Sequence, residues 1–306
     1  MDKQEQILRI MPGGIKDMIS RLLLHFEGVQ EIRIRVNRPI LIMYQGKEIN
    51  TEYIIRLKHI KEMMELICDY SAYAYEEEMR QGYITIEGGH RIGIAGKTII
   101  NNGMIKNMKN IAFINIRVAS QRIGCANEII GQLVSNGIVH NTLIMSPPGG
   151  GKTTLLRDII RLLSDGNDRI KGMNVGVVDE RSEICACYQG VPQNDVGIRT
   201  DVLDGCPKTE GMVRLVRSMA PAVIAVDEIG SKEDCETIEY VLTSGCRVIA
   251  TIHGSCIEDL KKNIYISRCL EKGMFSKVII PKGPAGTKDK LLDIGNITGG
   301  EEGEKL

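Results

Sequence analysis

The chain has 306 residues, 43% of them hydrophobic, enough for two domains with cores of their own. Lysine plus arginine and aspartate plus glutamate both number 39, so the formal charge is zero; with 4% aromatic residues this speaks against an extended footprint for duplex nucleic acid, though not against a local basic pore or groove. The nine cysteines include no CxxC pair and read as reduced thiols rather than a disulfide framework or a zinc site, and no apolar run is long enough to span a membrane.

Residues 6–26 place apolar side chains at helical period, with Gly13-Gly14 expected to separate two helical pieces. The opening residues lack the apolar core of a signal peptide, so the expected location is the cytosol, with docking on a membrane protein left open. Glu31–Val36 alternates with period two and Pro39–Tyr44 is a second strand, closed by a turn at Gln45-Gly46-Lys47. A helix is expected over 57–80, then strands at 83–86, 91–96 and 111–118, with Gly88-Gly89 as a turn. These elements predict a smaller α+β N-terminal domain with an antiparallel sheet over 1–120. A helical linker comes next over 121–140, with its helix at about 125–137.

From residue 141 strands and helices alternate, with strands expected at 141–145, 174–179, 222–227, 247–252 and 277–280. That alternation predicts an α/β domain over 141–298 with a mostly parallel sheet covered by helices. The end, 299–306, is rich in glycine and charge and is expected to be disordered.

The most informative segment is Ser146-Pro147-Pro148-Gly149-Gly150-Gly151-Lys152-Thr153-Thr154. It succeeds an apolar strand and precedes a helix, the context a phosphate-binding loop requires. Its glycines let successive N–H groups converge on one anion, and the helix start adds its dipole. Pro148, Gly149, Gly150, Gly151, Lys152, Thr153 and Thr154 are therefore expected to bind the phosphates of a nucleoside triphosphate. Lys152 would reach the β- and γ-phosphates, and Thr153 would offer its hydroxyl to Mg2+. Ser146 stands where the usual pattern begins with glycine.

Three later segments should converge on the same nucleotide. Ala222–Val226 is an apolar strand ending in Asp227-Glu228, where Asp227 would hold the Mg2+ shell and Glu228 would orient or deprotonate the attacking water. Gly176–Val178 ends in Asp179-Glu180-Arg181-Ser182-Glu183, so Glu183 or Glu180 could steer water or the metal's hydration shell at the carboxyl end of a strand. Val248–Ile252 ends at His253, which could sense the γ-phosphate, although a lone histidine after a strand is more often a structural hydrogen bonder. Arg199, Arg214 and Arg217 lie between the acidic segments. Arg214 and Arg217 share a helix face, placed to meet phosphates in cis or on a neighbouring copy, or to pair with surface acids.

Lys152, Glu183, Glu228 and His253 stand in the order of four boxes shared by the type II and type IV secretion ATPases and pilus motors, and the sequence resembles that superfamily. Glu31–Arg35 with Pro39-Ile40 after it, and Ile114–Arg117, look like its N-domain. The long segments 82–96, 178–184 and 199–208 are similar to a sporulation branch. The resemblance implies a RecA-like P-loop ATPase domain behind the N-terminal domain, with ATP and Mg2+ as cofactors and catalytic roles for Lys152, Glu228, Glu183 and His253. It also implies a homo-hexamer with nucleotide between N-domain and ATPase domain. Arg91 and Arg117 are the N-domain candidates to reach that nucleotide, and Arg217 is a further nucleotide-binding candidate. It implies, lastly, a place on the mother-cell side of the forespore membrane, beside channel proteins of the same sporulation operon. Two departures stand out: Ile229-Gly230 where the motors carry an arginine after the Walker B glutamate, and the absence of the zinc-binding cysteine module. Two other readings are a nucleotide-gated scaffold with little hydrolysis and a RecA-like ATPase acting on nucleic acid; neutral charge and few aromatics make nucleic acid the weaker.

Overall fold

The computed structural model describes residues 2–22, 26–71, 75–101, 103–281 and 290–294; the expected tail at 299–306 lies outside them. The chain divides into two compact units, one of Met1–Ser120 with Ala186–Gln193, the other of Gln121–Cys185 with Asn194–Leu306.

The first unit contains helices α1 (Lys3–Arg9), α2 (Gly13–Leu22), α3 (Leu57–Ile67) and α4 (Glu76–Gln81). Its strands are β1 (Val29–Arg35), β2 (Pro39–Tyr44), β3 (Lys47–Ile54), β4 (Tyr83–Ile86), β5 (His90–Asn101) and β6 (Met104–Arg117). The sheet runs in the order β3-β2-β1-β6-β5-β4 with every neighbouring pair antiparallel. Alternation puts Ile32, Ile34, Ile84, Ile92, Ile114 and Ile116 on the covered face, where they meet Ile7, Ile15, Ile60 and Met63 of the helices. The first helical break falls at Met11-Pro12 rather than at Gly13-Gly14: α2 starts at Gly13, and the carbonyl of Pro12, whose ring nitrogen has no proton to donate, accepts from the N–H groups of Ile15 and Lys16. The expected 57–80 helix is two helices, because Asp69 and Tyr70 turn left-handed after α3. Strand β3 adds to the expected elements: Ile49, Thr51 and Tyr53 alternate with exposed polar residues, but this inward face is only half-buried.

The second unit contains α5 (Ile130–Leu133), β7 (Val134–Ser135), β8 (Ile138–Val139), β9 (Thr142–Ser146), α6 (Lys152–Asp165), β10 (Val175–Asp179), β11 (Thr200–Asp204), α7 (Lys208–Met219) and β12 (Val223–Val226). Its remaining elements are α8 (Lys232–Thr243), β13 (Arg247–His253), α9 (Ile257–Lys262), α10 (Ile264–Glu271), β14 (Lys277–Ile280) and β15 (Lys290–Asp293). The stretch expected as a linker helix at 125–137 holds only the single turn α5 and a small hairpin. Asn136 and Gly137, both at positive φ, make the hairpin turn that ends helical structure there.

The main sheet has the order β11-β10-β12-β13-β9-β14-β15, parallel throughout except for the antiparallel edge strand β15. Every residue of β9, β10 and β12 is buried, as expected for strands covered on both faces. Strand β13 lies between β9 and β12, in a register that sets His253 beside Ser146 and Ala250 beside Val226. The carboxyl ends of β9, β10, β12 and β13 thus reach one edge of the sheet, the usual place for a ligand in this class of fold. Among the described residues no helix is long and apolar enough to cross a membrane.

Candidate active site

The loop after β9 bends as its glycines require. Gly149 and Gly151 have φ of 75° and 87°, and Gly151 caps α6 without a side chain to bond the first-turn N–H groups. Those donors, at the positive end of a 14-residue helix, suit an anion. The serine at the motif's first position explains why Gly150 is needed: a Cβ there would sit 2.6 Å from Ser146 Oγ, which itself donates to the Pro147 carbonyl.

Lys152 is buried at the start of α6, and its ammonium lies 3.6 Å from Glu228 Oε1 and 3.2 Å from His253 Nδ1. An ammonium has no acceptor, so Nδ1 must accept; the ring proton then sits on Nε2, which donates to Glu228 Oε1 at 2.7 Å. Arg181 adds a second cation, 3.2 Å from Glu228 Oε2. Burial alone would raise the Glu228 pKa, but His253, Lys152 and Arg181 outweigh it and hold the carboxyl below its ordinary value. Glu228 also has a left-handed backbone, φ 53°, a strained conformation for a residue with a side chain.

One step earlier in the chain, Asp227 accepts from Thr153 Oγ1 at 3.0 Å, the hydroxyl–carboxylate pair that a hard divalent cation uses. Thr251, buried in β13, donates to the other Asp227 oxygen and accepts from the Glu228 N–H at 2.8 Å. A single hydroxyl therefore fixes both members of the acid pair.

The third acidic segment is built differently from expectation. Asp179, at the end of β10, is buried and accepts from the N–H groups of Glu183, Ile184 and Cys185. Burial pushes its pKa up to about 6 against those three hydrogen bonds, with Asp204 adding to the rise. Asp179 is thus the post around which the 183–185 turn folds, while the buried Arg157 guanidinium donates to the Ile184 carbonyl and, at 2.7 Å, to that of Glu183. The turn leaves Glu183 exposed, lining one small cleft with Asp227 and Glu228. Glu180 lies 3.1 Å from Lys208 Nζ, which also donates to the Glu228 carbonyl at 2.8 Å.

The structure thus brings together Lys152, Thr153, Asp227, Glu228 and His253, with Glu183 at the rim of the acids. It does not bring Arg217. Helix α7 starts beside Glu228 at Lys208 and runs back along the sheet, so Arg217, nine residues on, is displaced by roughly 13 Å along the helix axis. Arg217 lines a separate cavity with Asp201 and Met219, and Arg214 is held by Glu210 at 2.6 Å. In the first unit the Arg91 guanidinium lies over the Tyr83 ring, 3.6 Å from its centroid. Sequence reasoning overlooked Thr251, Lys208 and Arg181. Only Thr251 carried a signal, a hydroxyl inside an otherwise apolar strand.

A parallel sheet with a phosphate loop, an acid pair two strands away and a histidine on the strand between them defines the class: the fold is that of the P-loop secretion ATPases. The chain superposes on the Legionella pneumophila ATPase DotB with a TM-score of 0.58 at 18% identity, over 86% of this chain and 75% of that one. It superposes on the pilus retraction motor PilT, solved with bound ADP, also at 0.58, with 15% identity over 94% of this chain and 81% of that one. Within this class the chain belongs to the family described as sporulation stage III, protein AA, whose profile matches residues 1–299. It is 40% identical over 305 residues to the stage III sporulation protein AA of Bacillus subtilis (strain 168), spanning 98% of this chain and 99% of the relative.

Proposed function

We propose that this chain is a Mg2+-dependent ATPase that works as a ring of copies, a hexamer, to energise or gate a membrane channel complex during spore formation. The observation that carries the reading is the meeting of Lys152, Glu228 and His253 directly beside the Thr153–Asp227 pair. The triphosphate tail fits the loop 147–151, with Lys152 turning from Glu228 to the β- and γ-oxygens. Thr153 and Asp227 would hold the Mg2+, which when bound neutralises charge on the phosphates. Glu228, once released by Lys152, orients and accepts a proton from the attacking water, and His253 keeps hold of its Oε1. Glu183 orders water at the opposite rim.

A Glu228 engaged by Lys152, Arg181 and the His253 N–H supports slow turnover in the isolated chain and a rise when assembly rearranges them. The same tie favours, as a second reading, a nucleotide-gated scaffold that binds ATP and hydrolyses little. Phosphate release by the purified chain, measured beside its mass with and without Mg-ATP, tests the proposal. Turnover that rises with ring formation supports it. Assembly on ATP without phosphate release selects the scaffold, and no nucleotide binding by calorimetry overturns both.

By resemblance the site of action is the forespore membrane, from the mother-cell side, with channel proteins of the same operon as partners. The sporulation family and the secretion-ATPase fold support that placement.

A further inference from the structure

Strands β5 and β6 are longer than the sheet they belong to. β1 pairs with β6 only over Phe113–Arg117, and β4 pairs with β5 only over His90–Gly93. From Lys97↔Lys109 to Asn101↔Met104 the two strands pair with each other, and no other strand pairing reaches them among the described residues. The ribbon begins at a bulge between Ala95 and Lys97. Gly96 is required there, because a Cβ would lie 2.7 Å from the Lys109 carbonyl oxygen, and Asn110 across from it is left-handed at φ 49°. Such a bulge bends a strand and re-aims the residues beyond it. The ribbon is anchored on one side, with Met108 packed against the core and the Asn107 amide 3.4 Å from Glu76.

The charge of this stretch of sequence is one-sided, the nearest acid to the ribbon coming from α4 at Glu76. In a chain of zero formal charge, residues 88–127 contain Arg91, Lys97, Lys106, Lys109, Arg117 and Arg122 and not one aspartate or glutamate. Lys97, Lys106 and Lys109 are all exposed along the ribbon. Near its end the cross-strand pair Ile100 and Ile105 is also in water, 65% and 46% exposed. Two facing isoleucines left in solvent on a projecting element cost apolar free energy unless something covers them. Lysines flanking an exposed apolar pair are the composition that seats at a bilayer interface, ammonium groups at the headgroup phosphates and aliphatic side chains just below.

We infer that the β5–β6 ribbon docks the protein directly on an anionic lipid surface, through Lys97, Lys106 and Lys109 with Ile100 and Ile105 entering the interface. A nucleic-acid strand is the poorer occupant. The ribbon has no aromatic residue between 97 and 110 to stack a base, and its isoleucine pair has no role against a phosphate backbone. The inference rests on the proposed reading only for the presence of a membrane, and it needs neither nucleotide nor hydrolysis.

The test is co-sedimentation of the full chain, without nucleotide, with vesicles of phosphatidylcholine alone or mixed with phosphatidylglycerol. Binding should require the anionic lipid and weaken as salt is raised. The triple variant Lys97→Gln, Lys106→Gln, Lys109→Gln should partition about 100-fold more weakly. The double variant Ile100→Ser, Ile105→Ser should lose about tenfold at unchanged charge. Both should melt as the parent does, since neither touches the core. Lys152→Ala should bind vesicles like the parent, so a failure of the ATPase reading leaves this result intact. Partition of either ribbon variant equal to the parent's overturns the inference. So does equal binding to both vesicle types, or tighter binding to a single-stranded oligonucleotide at the same salt.

Discussion

His253 Nε2 lies 2.7 Å from Glu228 Oε1, and the other nitrogen of the same ring lies 3.2 Å from Lys152 Nζ. One imidazole therefore bridges the glycine-loop lysine and the glutamate of the acid pair, two residues that the proposed ATPase chemistry requires to change partners. Because His253 is among the groups that hold the Glu228 pKa down, through its hydrogen bond to the carboxylate, His253→Ala should let it rise. The acid limb of the pH–rate profile should then move to higher pH, while nucleotide affinity changes little. An unshifted limb would remove His253 from the control of Glu228.

Lys152→Ala should lower turnover by about 100- to 1000-fold, the scale of losing one preorganised charge at a phosphoryl group, and should weaken nucleotide binding as well. The fold should survive, since Glu228 keeps Arg181 and His253 as partners. Phosphate release and calorimetric titration with Mg-ATP check the two effects, and full turnover in a folded Lys152→Ala protein would exclude the proposed chemistry.

Thr251→Val should be worse than its conservative chemistry suggests. The hydroxyl donates to Asp227 and accepts from the Glu228 N–H inside a buried strand, so valine leaves a carboxylate oxygen and an amide without their partner. Stability should fall by about 1–3 kcal/mol, and the dependence of turnover on Mg2+ should weaken as Asp227 loses its orientation. Thr251→Ser, which keeps the hydroxyl, should restore most of both. Thermal unfolding and Mg2+ titrations separate the packing effect from the positioning one.

The sequence is legible where its signals are local. The glycine loop before Lys152 and the apolar strands ending in Asp227-Glu228 and His253 are patterns within ten residues, and the parallel sheet is implied by their alternation. Thr251, Lys208 and Arg181 act across the sheet, and nothing in their own neighbourhoods marks them as a set. Arg217 shows the same limit within one chain. A helix face said that Arg214 and Arg217 lie together, but only the direction of α7 relative to β12 tells which end of the sheet they reach. Strand β3 shows its alternation only through Ile49, Thr51 and Tyr53, a half-buried face with one hydroxyl, and the hairpin at Asn136-Gly137 is too short to carry an apolar period.

The two units should respond to acid with opposite signs, because each buries one titratable group in a different sense. In the first unit His90 is fully buried, accepting the Ala119 N–H on Nδ1 and facing Gln6 Oε1 from Nε2, and burial lowers its pKa from 6.5 to about 4. Between those values the unfolded chain takes up a proton that the folded chain refuses. This contribution to stability is complete above pH 6.5 and is lost as pH falls toward 4, by up to about 3 kcal/mol. In the second unit Asp179 is raised from 3.8 to about 6, so the folded chain holds a proton that the unfolded chain gives up. Its contribution is complete below pH 3.8 and is lost as pH rises through 6, again by up to about 3 kcal/mol. Hydrogen exchange, corrected for its intrinsic pH dependence and read in β1 and β5 against β10 and β12, should show protection falling in the first pair and holding or rising in the second as pH drops from 6 to 4. His90→Gln should flatten the first slope alone. Asp179→Asn should flatten the second alone, at a cost at every pH, because its NH2 group replaces one carboxylate oxygen and faces at least one of the three backbone donors. Parallel responses in the two sheets, unchanged by either substitution, would show that neither buried group governs the acid stability of its unit.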